Sequence, residues 1–297
     1  MIHSQRSADF ILFIIALAWG TSYLLTDIVL REISPFWQTG LRFLIGFIVI
    51  ALLSRDKLKN PSPATKKWSL ILGTLLVGIY LGATFAIKYT SLTNAAFLSC
   101  ITVAFIPIFS IFYGKKVPLK TWILVAFTTL GVGLLTLNDN FSFQLGHIKG
   151  DLFALFCSAS YANHLILTEK AVSDAQVNPF QVGCFQLFVC SLINFALALL
   201  FEDFSLPSQP ITYMSLVFLA IACTGLPFLI QPLALSYTTP AHTAIIYTLE
   251  PLVAAFLAWG IAGEVMSGQS LMGATILIAS ILYMELGTAR KEKNEKA

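Results

Sequence analysis

The chain has 297 residues, 57% of them hydrophobic and 11% charged, with a mean hydropathy of +0.81. A soluble domain carries about 25% charged residues, so these few charges cannot cover a water-facing surface of this size. That excludes a soluble globular enzyme, a disordered tail and a nucleic-acid binder, and leaves the small net charge of +3 to matter only through its placement.

Apolar runs between polar breaks predict ten helices, at roughly 9–30, 36–53, 69–88, 93–113, 120–137, 149–169, 179–200, 211–235, 241–260 and 268–287. A spanning helix needs about 20 apolar residues rising 1.5 Å each. Ten of them use about 200 residues and leave only short loops. The expected class is therefore an all-α polytopic membrane protein in one compact unit. Pro35, Pro61, Pro118, Pro179, Pro207, Pro210 and Pro240 fall in or beside the breaks, where a missing N–H does least harm. Ala16-Leu17-Ala18 in the first run resembles a signal-peptide cleavage site. The run continues to Leu30, however, and is read as a retained helix.

Lys and Arg placement sets orientation. With the N-terminus in the cytoplasm, 14 of the 18 basic residues fall inside. Arg6, the five between the second and third helices, and the tail residues Arg290, Lys291, Lys293 and Lys296 are among them. Arg31, Lys88 and Lys149 fall outside or at outer helix ends, and Arg42 lies within a span. Both termini are expected in the cytoplasm, with the chain in the cytoplasmic (inner) membrane.

The halves echo each other. Pro35-Phe36 recurs as Pro179-Phe180, and Pro107 recurs as Pro251, both at an offset of 144. Ala86-Ile87-Lys88-Tyr89-Thr90 recurs as Ala234-Leu235-Ser236-Tyr237-Thr238. Five helices per half put the second half in the membrane upside down. The basic loop between helices two and three has an acidic counterpart, Glu202-Asp203, between helices seven and eight. The expected division is 1–143 and 144–288 for the repeats and 289–297 for a basic tail. Inverted repeats are a common build of secondary transporters, with the substrate site near the midplane between the halves.

At this level the sequence resembles the EamA family of the drug/metabolite transporter superfamily. The resemblance rests on Trp19-Gly20-Thr21-Ser22, on Pro35-Phe36 with Arg42-Phe43, on Ala86 to Thr90, on Pro107, on Glu250-Pro251, and on Gly263-Glu264. It implies ten helices in two five-helix repeats around a central cavity, moving small organic solutes. Two departures limit the transfer of site residues between halves. Gly114-Lys115 stands where the second half has Gly263-Glu264, and Gln186 stands at the counterpart of Arg42.

A charge at the centre of a spanning helix costs about 2.5–3.5 kcal/mol on insertion scales. Glu250 is such a charge, followed by Pro251, which frees the carbonyl of Tyr247. Pro107 frees that of Val103, and Pro227 and Pro232 interrupt helix eight. Glu250 either contacts a cationic group or carries a proton, or it caps backbone or pairs with Arg42 or Lys88. Arg42 either clamps a substrate carboxylate or serves structurally by snorkelling or pairing with Asp27 or Glu32. Lys88 reads as snorkelling. Trp19, Thr21, Ser22, Tyr23 and Thr26 in helix one, Tyr80 in helix three, and Ser99 and Thr102 in helix four form candidate cavity polar groups. Tyr161, Asn163 and His164 in helix six, Gln231 in helix eight and Tyr247 in helix nine join them. Such hydroxyls equally satisfy themselves on carbonyls one turn back. Gly78 and Gly82 have the spacing of close helix packing within the monomer.

Asn140-Phe141-Ser142 is a glycosylation sequon in an outer loop. His147 and Asp151 carry an H-x-x-x-D spacing without a supporting nucleophile. The five cysteines, Cys100, Cys157, Cys184, Cys190 and Cys223, lie in apolar runs and read as core residues. No metal-ligand spacing, cofactor motif or nucleotide-hydrolysis motif occurs, so neither a metal nor a cofactor is expected. The sequence therefore points to a transporter, not an enzyme: a secondary carrier, in the export direction by family analogy, of amino acids, related metabolites or drugs. It would work by alternating access, with the repeats rocking around the site. Its expected partners are a small-molecule substrate and the lipid bilayer, with a monomer or a homodimer as the assembly. An intramembrane enzyme and a non-transporting scaffold are the rival readings.

Overall fold

A computed structural model describes residues 4–90, 95, 98–136, 148–253, 268–269, 271–280 and 283. Among these the chain is all-helical, in the order α1 (Gln5–Leu30), α2 (Pro35–Leu53), α3 (Pro63–Tyr89) and α4 (Leu98–Phe112). There follow α5 (Leu119–Thr136), α6 (Ile148–Val172), α7 (Pro179–Phe201), α8 (Pro210–Leu235), α9 (Pro240–Tyr247) and α10 (Leu271–Ser280). The protein is a polytopic membrane protein. Helices α1, α2, α3, α7 and α8 are long and apolar enough to cross a membrane, and α4, α5 and α10 are shorter apolar helices. The sequon at Asn140, His147, Gly263-Glu264 and the basic tail lie outside the described residues.

Several helices begin where the sequence punctuates them. Proline opens α2, α3, α7, α8 and α9, where its fixed φ suits the first turn and its missing N–H is not needed. Ser62 and Asn178 accept from the free amides behind two of these prolines. Ser62 capping starts α3 at Pro63, one and a half turns before the apolar run suggests. Gly114, at φ 75°, closes α4. The Lys115 amide returns to the Ser110 carbonyl and the Gly114 amide to that of Ile111, each at 2.9 Å, a pairing that needs a left-handed residue.

Packing links the halves through exchanged partners. Helix α3 packs on α6 and α7, while α8 packs on α1 and α2, and α2 lies against α7. Gly82 is the closest point of α3 and α6: a Cβ there would sit 2.7 Å from the Cys157 amide nitrogen and the Phe153 oxygen. The loops interlock as well. The Glu202 carboxylate accepts from the amides of Phe36 and Trp37, at 2.9–3.2 Å, and so caps α2. Reciprocally, Glu32 accepts from Ser208, Gln209 and Thr212 at the start of α8. These bonds hold the Glu32 carboxyl down to about 2, well below an ordinary glutamate. At the other end Gln181 donates to the carbonyls of Lys57 and Lys59, and Ser62 to that of Gln176.

Candidate functional site

Four helices break around one point. Helix α1 is interrupted at Thr21, whose hydroxyl and amide both bond the Ala18 carbonyl. Helix α4 turns at Ile101, and α9 ends its first segment at Tyr247, before Glu250-Pro251. Helix α8 widens into a π-turn over Ile221–Gly225, closed by the Leu226 amide on the Ile221 carbonyl. Such turns recur at functional sites.

The prolines of α8 explain how its widened stretch is held. A proline cannot bond the carbonyl four residues back. Pro227 therefore frees Cys223, and Pro232 frees Phe228. The Cys223 carbonyl accepts from the Trp19 indole at 2.7 Å and from the Arg42 guanidinium at 3.2 Å. The Phe228 carbonyl accepts from the Gln186 amide at 2.9 Å. Arg42 and Gln186 are the matched positions of α2 and α7, so each half sends one side chain to one orphaned carbonyl of α8. Arg42 reaches its target because Gly46, one turn on, touches Gly225: a Cβ there would lie 3.2 Å from the Gly225 Cα. Arg42 also donates to Thr224 and lies over the Tyr80 ring at 4.9 Å.

A central cavity of about 110 Å³ opens between these breaks. It is smaller than the roughly 300–1,000 Å³ of pockets for drug-sized ligands. Trp19, Ser22 and Tyr23 line it from α1, Arg42 from α2, Tyr80 from α3, and Ser99 and Thr102 from α4. Tyr161 lines it from α6, Tyr247 from the end of α9, and Glu250 from the stretch just after it. Trp19 lies 4.8 Å from Tyr247 and 5.9 Å from Tyr161, centroid to centroid, which makes an aromatic corner beside the acid. Among the described residues neither Glu250 nor Arg42 has an ionic partner within 4 Å. Tyr23 and Glu250 line the same cavity.

Five expected residues lie elsewhere, among them Thr21, bonded to Ala18 at the break of α1, and His164, fully buried against Gln186. Gln231 stands behind the wall, fully buried, and accepts from the Tyr161 hydroxyl at 2.8 Å. Asn163 accepts from Tyr113 at 3.1 Å, on the path to the end of the molecule that carries the α2–α3 loop. Lys88 belongs to a second recess of about 370 Å³, lined also by Asp27, Arg31, Glu32 and Pro35. Arg42 pairs with neither Asp27 nor Glu32: Asp27 is bound to Arg31 at 2.7 Å, and Glu32 to the start of α8. Asp151 accepts from Thr90 at 2.7 Å. Sequence reasoning named Gln186 only as the counterpart of Arg42 and missed Thr224, which Arg42 meets, and Thr248, which lines the cavity. The role of Gln186 was within reach, because the rule applied to Pro251 points equally to the carbonyls of Cys223 and Phe228.

The recess and the cavity share one wall residue, Ile87. Toward the opposite end three contacts join helix ends: Asp9 with His242 at 3.2 Å, Tyr113 with Asn163, and Lys115 with Glu169.

A model of the EamA-like transporter family matches the chain twice, over residues 6–137 and 148–286. An uncharacterized transporter of Archaeoglobus fulgidus is 24% identical over 286 residues, covering 94% of this chain and 86% of its own. The uncharacterized inner membrane transporter YedA of Escherichia coli K12 is 21% identical over 287 residues, covering 93% and 90%. A solved crystal structure, described only as that of a protein, superposes with a TM-score of 0.79 at 21% identity. That match covers 97% of this chain and all of the other, and it speaks to fold alone.

Proposed function

The chain belongs to the EamA-like transporter family and is a multi-pass membrane transporter, and from there we propose that it is a secondary carrier of small organic solutes, amino acids and related metabolites first among them, that binds them in the central cavity. One observation carries the reading. Two opposite charges, Glu250 and Arg42, face one small cavity deep in the bundle without pairing at 4 Å. Intramembrane charges are expensive and mark substrate or ion paths, and broken helices are where carriers build sites. The cavity volume favours small metabolites over drugs.

The mechanism is alternating access between two five-helix repeats, 1–143 and 144–288. In the conformation described, the Asp9–His242, Tyr113–Asn163 and Lys115–Glu169 contacts join helix ends toward the end bearing the α2–α3 loop. The recess at Ile87 and Lys88 lies toward the other end. The excess of basic residues supports a cytoplasmic location for the end bearing the α2–α3 loop and for both termini; the recess then opens outward, and the export direction rests on family analogy. Binding energy shifts populations between the two states and drives no chemistry.

The test is counterflow of a labelled metabolite panel into proteoliposomes, with Glu250→Gln in parallel. Exchange of at least one solute, recovered chemically unchanged and weakened by the substitution, is expected. No exchange across a broad panel refutes the carrier reading, and a chemically altered solute favours an enzyme.

A further inference from the structure

The hydrogen atoms around the cavity are arranged in one direction, and a single proline sets it. Pro232 frees the Phe228 carbonyl, which can only accept. Gln186 must therefore turn its NH₂ toward that carbonyl, at 2.9 Å, and its oxygen toward His164 Nε2, also at 2.9 Å. An oxygen facing Nε2 places the imidazole proton there and leaves Nδ1 bare. Nδ1 then accepts from the Gln231 NH₂ at 3.2 Å. This turns the Gln231 oxygen toward the phenols of Tyr161, at 2.8 Å, and Tyr247, at 3.5 Å, and both must donate to it. His164, Gln186 and Gln231 are all fully buried, so water does not scramble the order.

Other lining donors point the same way. Thr102 donates to the Ser99 carbonyl at 2.8 Å, and Thr248 to that of Ile245 at 2.6 Å. The Trp19 indole and three N–H groups of Arg42 are spent on α8 and Tyr80. What Tyr161, Tyr247, Thr102 and Thr248 present to the cavity is lone pairs and ring faces, on the wall they share with the Glu250 carboxyl; the remaining Arg42 N–H groups and the hydroxyls of Ser22, Tyr23, Thr26 and Ser99 line the same cavity. The sector formed by the Tyr161 and Tyr247 hydroxyls, the aromatic corner at Trp19 and the Glu250 carboxyl complements a group rich in N–H donors and positive charge.

We propose that the site selects its solute by a protonated amine, not by a carboxylate, and that Gln186, His164 and Gln231 are positioning residues that fix this preference by orienting the Tyr161 and Tyr247 hydroxyls. The proposal deepens the reading of the cavity as the solute site and rests on it. Its consequence is that an amine stripped of its carboxylate still binds, whereas a carboxylate stripped of its amine binds much more weakly.

Valine, isobutylammonium and isovalerate share one skeleton and separate the two groups. Each is titrated against the purified full-length protein, with thermal stabilisation as the readout. Valine and isobutylammonium are expected to bind, and isovalerate to bind at least about tenfold more weakly, the factor that corresponds to about 1.4 kcal/mol. Gln231→Met keeps the volume but releases the phenols to donate inward, so the amine-to-carboxylate affinity ratio should fall. Tyr161→Phe leaves the rest of the chain of bonds in place and should weaken isobutylammonium by about tenfold or more, the lower end for a hydrogen bond to a charged group. A merely structural role would change stability and not the ratio. Isovalerate binding as tightly as isobutylammonium, or no binding of isobutylammonium, overturns the proposal. A well-folded Gln231→Met with an unchanged ratio does the same. If that variant does not fold, unaltered amine binding by Tyr161→Phe overturns it. Counterflow with an inverted preference sinks this inference and leaves the carrier reading standing. Amine binding without any counterflow does the reverse.

Discussion

Replacing Gln186 by leucine tests the account of α8 directly. The side chain is fully buried and nearly isosteric with leucine, so the change removes polarity and little volume. It removes two bonds at 2.9 Å, one to the Phe228 carbonyl and one to His164. Interhelical hydrogen bonds in membranes average about 0.6 kcal/mol and reach about 1.7, so the loss should be about 1–3 kcal/mol. Pro232→Ala supplies the missing N–H to the same carbonyl. Alone, it should change stability little on this account, because Gln186 already serves that acceptor. In the Gln186→Leu background it should restore about 0.6–1.7 kcal/mol, the share belonging to Phe228. The four proteins form a double-mutant cycle, read by reversible unfolding in mixed micelles with far-UV circular dichroism. Gln186→Leu unfolding at the parent midpoint would refute the reasoning. So would a Pro232→Ala effect of equal size in both backgrounds, because the carbonyl would then not be shared.

The outer clamp makes its own predictions. Glu202→Ala uncaps α2 at Phe36 and Trp37 and should cost about 0.5–2 kcal/mol; the same micelle unfolding reads it, and no loss counts against the capping. Glu32 has a carboxyl lowered from 4.5 to about 2. Its contribution is therefore present above the unfolded value and lost as pH falls from about 4.5 toward 2. The melting difference between the parent and Glu32→Gln should be constant near neutrality and vanish across that window; a difference unchanged at pH 2.5 contradicts it. Gly82→Ala forces a Cβ to within 2.7 Å of the α6 backbone and should destabilise by about 1–3 kcal/mol. Gly78→Ala meets the Ser160 hydroxyl at 3.2 Å and should be tolerated better, so equal losses at the two positions would undo the assignment of the contact.

The helices were legible because the membrane demands it: a run of apolar residues ended by proline leaves few alternatives. Their starts were less so, because an N-terminal turn such as Pro63–Trp68 is polar and reads as loop until Ser62 is seen capping it. The cavity wall was legible where a polar side chain sits beside a break, as Trp19, Ser22, Tyr247 and Glu250 do. Gln231 and Asn163 were as polar as these but sit on turns of their helices directed to other helices, and composition carries no helical angle. Lys88 was placed correctly at the end of α3, but not in a recess built from the loop after α1. The Arg42–Cys223 and Gln186–Phe228 contacts span 181 and 42 residues. Only the missing proline N–H hinted that those carbonyls needed donors.

The exchanged partners of α3 and α6, and of α8 and α1, also fix when the protein can finish assembling. Helix α3 leaves the ribosome well before α6 and α7, the helices on which it packs most extensively. Until those helices are made, the faces of Gly73 and Gly82 lack Val189 and Cys157, the neighbours they meet in the folded chain. Neither half can reach its own final structure first. A pause or cleavage between α5 and α6 leaves an incomplete object, not a smaller transporter, and two separately made halves should become protease-resistant only when they are synthesised together.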